Sequence, residues 1–377
     1  MSLRRTAAMA RKEILHILRD PGSLASAIFH PLMMLLLFSY ALSLDVADIP
    51  LVVYNQDPSP QANALIQDFR GSRYFVVVEQ VDSYVPLERA FDQRRAMMGL
   101  VIPADYARNV ARGNPTPIQL LLDGSDSNTA QIAQGYADGI IQAHARRLRD
   151  SAEAARTGVA TAPPVDTRSR VWYNPDLVSR NYIVPGLIAV IIMIISAMLT
   201  SLTIAREWDN GTMEQLLSTP VRPAEIALGK LAAYFLLGAL DMLIALFVAL
   251  YVFDVPFKGN PVLLFFSSCI YLFGALGWGI FLSAATRSQL AAYQLGIFTS
   301  FLPAFLLSGF IYSIANMPPI IQFVALFVPA RYFINIIKGV FLKGVGLEIL
   351  WLDFLLLCGY AVFVFFIATR SLRGKVG

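Results

Sequence analysis

Residues able to do chemistry are few and scattered in this chain. His16, His30 and His144 stand far apart, so the spacing forms neither a histidine–nucleophile pair nor a histidine metal set. Cys269 and Cys358 lie inside apolar runs with no metal-ligand spacing around them, and they are poor disulfide candidates. The stretch Asp123-Gly124-Ser125-Asp126-Ser127-Asn128 is acid-rich, but it lacks the later bidentate carboxylate of a calcium loop. It reads as a strand-to-helix turn with an N-cap. A phosphate loop needs G-x-x-x-x-G-K-[ST], so that backbone amides and the lysine cradle the phosphates. Gly229-Lys230 is followed by Leu231 and has Ala224 at the first glycine position, and Gly374-Lys375 is followed by Val376. The chain is therefore expected to hold no metal, no nucleotide and no catalytic set of its own. Asp241 is the exception, a single acid deep inside an apolar run. Such a carboxylate serves either as a proton or substrate group or as a hydrogen bond between helices.

What the chain does have is a compact polar island, Arg206–Lys230, between two long apolar segments. Thr212 with Gln215 makes a capping-box pattern, predicting a helix start. Glu214 in its first turn complements the helix dipole, and Met213, Leu216 and Leu217 share one face. Thr219-Pro220 ends that helix, and Pro223 opens the next. A helix of two turns does not hold itself together in water, so its apolar triad is expected to lie on a partner surface. Glu207 and Asp209 sit at the membrane edge and are expected to hold the island's start in place.

The elements around the island set its position. Hydrophobic residues make up 56% of the sequence and charged ones 15%, well below the charge of an ordinary soluble domain. The cations flank apolar runs rather than interleaving with aromatics, which excludes nucleic acid as the expected partner. Residues 3–19 carry Leu3, Ala7, Ala10, Ile14, Ile17 and Leu18 on one stripe and Arg4, Arg5, Arg11, Lys12 and Arg19 on the adjoining face. That pattern suits a helix lying in the membrane interface among lipids.

Six spans are expected, at Leu24–Leu44, Tyr182–Ala205, Leu231–Phe253, Pro261–Ala285, Leu290–Tyr312 and Leu350–Thr369. The fold class is thus an α-helical polytopic membrane protein with six transmembrane helices, an N-terminal interfacial amphipathic helix and an inserted extracytoplasmic α/β domain. Its regions are 1–22, 23–44, 45–180 and 181–377, with a cytoplasmic loop at 206–230. The punctuated segment 313–347 is expected to be re-entrant or interfacial on the outer side. In the soluble block, strands are predicted at Leu51–Tyr54, Tyr74–Glu79, Met97–Ile102 and Ile118–Leu122. Helices are predicted at Ser59–Arg70, Tyr84–Arg94, Ala104–Arg112 and Ser127–Asp150. Ala152–Arg170, with Pro163-Pro164, reads as a loop, and Trp172 and Tyr173 mark the return to the membrane. Arg206, Arg222, Lys230, Arg287, Arg370, Arg373 and Lys375 join the basic N-terminus on one face. That face is expected to be cytoplasmic, with both termini on it.

Placed in this order, several short patterns resemble the type-2 ATP-binding cassette (ABC-2) transporter permease family. They are Arg206-Glu207, Gly211-Thr212-x-Glu214-x-Leu216 and Thr219-Pro220 in the island, and Lys12-Glu13 with Leu18-Arg19-Asp20-Pro21 before the first span. Pro329-x-x-Tyr332 and Leu342-Lys343-Gly344 resemble the family's outer segment, with Lys338 where relatives often carry arginine. The resemblance implies a bacterial inner-membrane exporter of drugs, lipids or similar amphiphiles. It implies that Arg206, Glu207, Gly211, Thr212, Glu214, Leu216, Leu217, Thr219 and Pro220 form the coupling element. Lys12, Glu13, Arg19, Asp20 and Pro21 would form the membrane-approach helix. ATP and Mg would be bound by a separate cytoplasmic ATPase, and a second permease copy or paralogue would complete a dimer. The large outer domain adds an extracytoplasmic adaptor as a further expected partner. Two other classes stay open: a proton-coupled secondary transporter using Asp241, and a membrane sensor with an outer ligand-binding domain.

Overall fold

The computed structural model describes residues 2–41, 48–157, 173–174, 178–286 and 288–373. Arg287, Lys375, Trp172 and Pro163-Pro164 lie outside the described residues, as does the side chain of Leu217. The chain divides into two compact units, Met1–Ser43 with Val171–Gly377, and Leu44–Arg170.

The first unit is helical. Helix α1 (Leu3–Arg19) stops at Asp20, and α2 (Pro21–Ala41) starts at once with a proline at its first position. Helix α2 runs through Pro31, and only Ala27–Ala41 is apolar enough to count, as a shorter apolar helix. Of the span expected at Leu24–Leu44, α2 holds Leu24–Ala41, and residues 42–44 lie outside the described residues.

Among the described residues, five helices are long and apolar enough to cross a membrane: α7 (Ser179–Asp209), α9 (Pro223–Tyr251), α10 (Pro261–Thr286), α11 (Gln289–Leu302, extended by a π turn to Leu307) and α14 (Leu347–Arg373). Between α11 and α14, α12 (Pro319–Ala325) and α13 (Pro329–Lys338) meet at an 80° bend and count as a sixth span only if taken together. Pro329 at the first position of α13 explains the break, because it cannot continue a helix begun before it.

Helix α7 is the axis of this unit, buried along most of its length. Small and hydroxyl residues let its neighbours approach. A side chain at Gly279 of α10 would collide with Thr200 and the Ala197 backbone. Thr200 Oγ1 lies 2.8 Å from Leu276 O, and Ser283 Oγ lies 2.9 Å from both Ile204 N and Ala205 N. Tyr271 donates to Ala189 O at 2.8 Å and stacks on Phe333 at 4.3 Å between ring centres. The outward faces of α9, α10 and α14 expose large apolar side chains such as Phe247, Phe266 and Phe363. That surface is suited to acyl chains rather than water.

The second unit is a four-stranded sheet with helices on both faces. Its strands are β1 (Ile49–Asn55), β2 (Phe75–Val81), β3 (Met98–Ile102) and β4 (Gln119–Leu122), in spatial order β2-β1-β3-β4. Strand β1 pairs in parallel with β2 and β3, while β4 closes antiparallel on β3. Alternation along β1 sends Leu51 and Val53 to one core and Val52 to the other, as a period of two requires. Helices α3 (Pro60–Arg70) and α6 (Ser127–Thr157) cover the first face, and α4 (Tyr84–Asp92) covers the second. The short α5 (Tyr106–Arg112) joins the first core through Tyr106.

Two expectations change here. Helix α4 ends before Arg94, which turns left-handed with φ 55°. Helix α6 continues past Asp150 to Thr157, where a loop was expected from Ala152, because its alanines favour helix more strongly than the threonines break it.

One carboxylate pins the start of α3 to α5. Asp57, itself buried, accepts from Ala107 N at 2.7 Å and Ser59 N at 3.1 Å. The Ala107 amide is the main cause that holds its pKa below the usual 3.8. A depressed carboxylate stabilises the fold above its ordinary pKa, and that stability is lost as pH falls through the folded value. We therefore expect Asp57→Ala to cost about 1–3 kcal/mol. Hydrogen exchange in the full chain should show faster exchange of residues 49–122 in the variant at neutral pH, with the difference closing below pH ~4.

Candidate functional site

Helix α8 (Thr212–Leu217) is the short helix at the centre of the polar island. Its start differs from expectation. Gly211 at φ 69° is the residue before the helix, and Thr212 is already its first helical position. No side chain caps it; Thr212 Oγ1 instead donates to Glu207 O at 3.3 Å. The reversal after α7 needs the left-handed conformation, which glycine adopts without a Cβ penalty, and this displaces the capping box. The end follows the sequence: Thr219 Oγ1 donates to Leu216 O at 2.6 Å, with Pro220 next.

Two of the three apolar side chains of α8 are covered by the chain's own bundle. Met213 is 1% exposed and sits in the core of the helical unit, with Leu216 packed against it. Among the described side chains, Glu214, Gln215, Ser218 and Thr219 are exposed. Met213 and Leu216 of the expected triad thus anchor α8 to its own bundle, while the side chain of Leu217 lies outside the described residues.

Behind α8 lies the strongest electrostatic feature of the chain, where three elements each bring charge to one place. Helix α1 supplies Lys12 and Glu13, α7 supplies Glu207 and α9 supplies Lys230. Lys12 Nζ is 2.8 Å from Glu207 Oε1, and Lys230 Nζ is 2.8 Å from Glu13 Oε1 and 3.1 Å from Glu207 Oε1. Lys12 also lies 3.6 Å from Glu13. Cations and carboxylates alternate, so no like pair is left without an opposite charge between. Lys230 is 1% exposed, and Glu13 and Glu207 are buried. Burial works to lower the pKa of the half-exposed Lys12, but its bonds to Glu207 and Glu13 outweigh this and raise it above 10.5. A lysine raised in this way stays charged throughout the neutral range. Glu207 Oε2 has no hydrogen-bond partner among the described residues.

Local sequence explains why α1 lands here. Gly229, one residue before Lys230, faces α1, and any side chain there would collide with Met9. Met9 and Glu13, one turn apart, are the buried residues of α1. Its N-terminal end is tied to the island as well: the Ser2 amide donates to Glu225 at 2.6 Å, and Arg5 donates to Pro220 O. Glu225 also accepts from Arg222 N at 3.0 Å, which caps the start of α9. The stripe expected to lie in the interface is split. Leu3 and Leu18 remain 82% and 61% exposed, while Ile14 and Ile17 turn partly inward.

Against this network opens a cavity of about 560 Å³. Arg206, Glu207, His16, Tyr234, Leu237 and Tyr293 are among its walls. Thr212, Gln215, Leu216 and Thr219 of the island also line it, as do Asp20 and Leu24 at the α1–α2 junction. Its size falls in the range of small-molecule sites.

Of the residues singled out in the sequence, the structure brings Lys12, Glu13, Glu207 and Pro220 into one constellation around α8. Arg206 and Asp20 stand on the cavity wall, Pro21 begins α2, and Arg19 is exposed at the end of α1. Asp209 accepts from Gln289 N at 3.1 Å, joining α7 to α11. Asp241 stands apart on α9, 8% exposed, with neither oxygen hydrogen-bonded among the described residues. Lys230 was missed as a site residue. A lysine opening an apolar run reads as a topology signal, and only its pairing with Glu13 across 217 positions reveals the other role. Among the described residues no cluster of His, Cys, Asp and Glu could hold a metal.

A bundle of long apolar helices with a buried charge network at one end defines a polytopic membrane protein. The match to known families agrees: the model described as ABC-2 family transporter protein covers residues 22–370. The chain belongs to the ABC-2 transporter permease family. It is 37% identical over 381 residues to the probable multidrug ABC transporter permease YbhS of Escherichia coli (strain K12), covering 100% of this chain and 98% of that one. It is 31% identical over 343 residues, 91% of each chain, to the probable multidrug ABC transporter permease YbhR of the same organism. The ABC transporter G family member 20 of Dictyostelium discoideum is 23% identical across 98% of this chain and 50% of its own length.

Removing one member of a buried network leaves the others uncompensated, at about 3–5 kcal/mol. Lys230→Met should therefore lower the melting temperature of the purified protein. Pairing it with Glu13→Leu should recover part of the loss, since the stranded carboxylate is then gone. Gly229→Val should detach α1 and make residues 3–19 exchange amide hydrogens quickly, whereas Arg19→Ala should leave them protected.

Proposed function

We propose that this permease carries an apolar or amphipathic molecule outward, driven by a separate cytoplasmic ATPase that binds ATP and Mg and grips α8 and α1. The observation that carries the reading is the ion network. Through it α1, the end of α7 and the start of α9 are tied into one body beside α8, so a displacement of α8 is delivered to two spans together. A ligand or nucleotide shifts such a bundle only by favouring one packing over another.

In this reading α2 is the first of six spans and the bent α12–α13 pair dips into the outer leaflet without crossing. Both termini and α8 then face the cytoplasm, and the α/β unit inserted after α2 lies outside a bacterial inner membrane. The excess of Lys and Arg on the short loops beside α1, α8 and α14 supports that orientation. A second permease copy or a paralogue pairs with the chain, lipids cover its exposed helices, and an extracytoplasmic adaptor is a further partner of the outer unit. An uncharged or amphipathic substrate suits spans that carry so few charged side chains, and the names of the YbhS and YbhR relatives point to drugs.

Co-expression with the neighbouring ATPase genes tests this. The tagged permease should bring down an ATPase, and Glu214→Arg with Ser218→Trp on the exposed face of α8 should abolish both that association and drug resistance. The protein level and melting temperature should not change. Unchanged resistance in the double variant, with no ATPase recovered, would overturn the coupling reading.

The orphan carboxyl of Asp241 favours one further reading, coupling to protons. Under it, Asp241→Asn stops transport that persists when the ATPase is inactivated. Under the main reading, transport is lost with the ATPase, and Asp241→Asn leaves part of it.

A further inference from the structure

We propose that Lys338 anchors a binding site for the anionic headgroup of an amphiphile, at the opposite end of the helical unit from α8. Lys338 is the last residue of α13, in the second half of the bent pair. Its ammonium lies 3.3 Å from the centre of the Tyr182 ring and 5.9 Å from that of Phe310. Both rings are held in place. The Tyr182 hydroxyl donates to Gly309 O at 3.2 Å, and Phe310 packs so closely on α7 that any side chain at Gly186 would collide with it. Among the described residues, Lys338 makes no hydrogen bond and no ion pair. Asp353, on α14, accepts from Asn335 at 3.4 Å rather than from Lys338.

The ring faces offset part of the cost of a charge away from bulk water, but they do not accept the three N–H donors of an ammonium. A cation in apolar surroundings without an acceptor is incomplete, and an anionic oxygen completes it most strongly. Lys338 is only partly buried, so that oxygen can come from outside. The same bent pair exposes Ile320, Phe323 and Phe327, which suits a ligand whose charged head carries an apolar body. The shared chemistry is a phosphate or carboxylate on a hydrophobic tail, and its source is either a bilayer lipid or the transported molecule. Binding at this site needs neither the ATPase nor the coupling reading.

The test uses the wild-type permease alone in phosphatidylcholine nanodiscs, with acylation of Lys338 by an amine reagent followed by mass spectrometry. Adding phosphatidylglycerol or oleate should slow acylation of Lys338 severalfold while Lys258 keeps its rate. Inorganic phosphate should not protect. Lys338→Met should bind a fluorescent anionic amphiphile about tenfold more weakly, as for the loss of one charge-assisted hydrogen bond, and Lys338→Arg should retain binding. If oleate but not phosphatidylglycerol protects, and its transport falls in Lys338→Met, the source is the transported molecule. Protection by phosphatidylglycerol with unchanged transport makes it a lipid. Equal acylation in every nanodisc, or protection by phosphate alone, would overturn the proposal.

Discussion

The structure depends most on two lysines and two glutamates that meet at one place, with Glu13, Glu207 and Lys230 buried and Lys12 reaching in from the surface. Lys12, Glu13, Glu207 and Lys230 come from three elements, and none of them is stable there alone. Desolvating a carboxylate or an ammonium costs several kcal/mol, and the cost is recovered only when opposite charges meet in good geometry. Helix α1 therefore has one position in which Glu13 finds Lys230 and Lys12 finds Glu207. Gly229 makes that position reachable by letting Met9 lie on the backbone of α9. An apolar contact between the same helices could slide by a residue at little cost, whereas an alternating charge set cannot. The network thus fixes register more than it adds stability.

From that fixed point the rest of the bundle can be read outward. Helix α7 carries Glu207 at one end and then passes buried through the whole unit. Its neighbours close on it through Gly279, Thr200 and Ser283 rather than through bulky side chains. Where lipid is as apolar as the side chains, such close backbone approach and hydroxyl bonds are what hold helices together. A shift of α7 at the network end is therefore transmitted along a tightly packed axis. Helix α8 joins the same body through Met213 and Leu216.

Much of this was legible in the sequence, and what was not has physical reasons. Element positions in the α/β unit followed from the alternation of short strand-like runs with helical stretches, with boundaries moving by a few residues, as where Ser59 caps α3 instead of opening it. The long apolar helices were legible from composition alone. The direction of the α8 apolar face was not. Met213, Leu216 and Leu217 declare that a face must be covered, but nothing in their spacing says whether the cover is another chain or the same one. The capping box at Thr212 failed because Gly211 turns the chain left-handed and moves the helix start by one residue. Lys230 was hidden because a pair separated by hundreds of residues leaves no local pattern. Its clue was chemical: Glu13 sits between a methionine and an isoleucine stripe on α1, where an acid needs a cation.

The exposed surface of α8 then has a clear division of labour with its buried side. Met213 and Leu216 bind it to the bundle, so Glu214 and Ser218 are free to change without loss of folding. Covering α8 from outside buries polar groups that already have water, and this contributes less to affinity than burying an apolar triad would. Glu207 Oε2 has no hydrogen-bond partner among the described residues, and the Thr212 hydroxyl of α8 donates to the main-chain carbonyl of the same residue. Glu207 thus meets α1 and α9 through its carboxylate and α8 through its main chain.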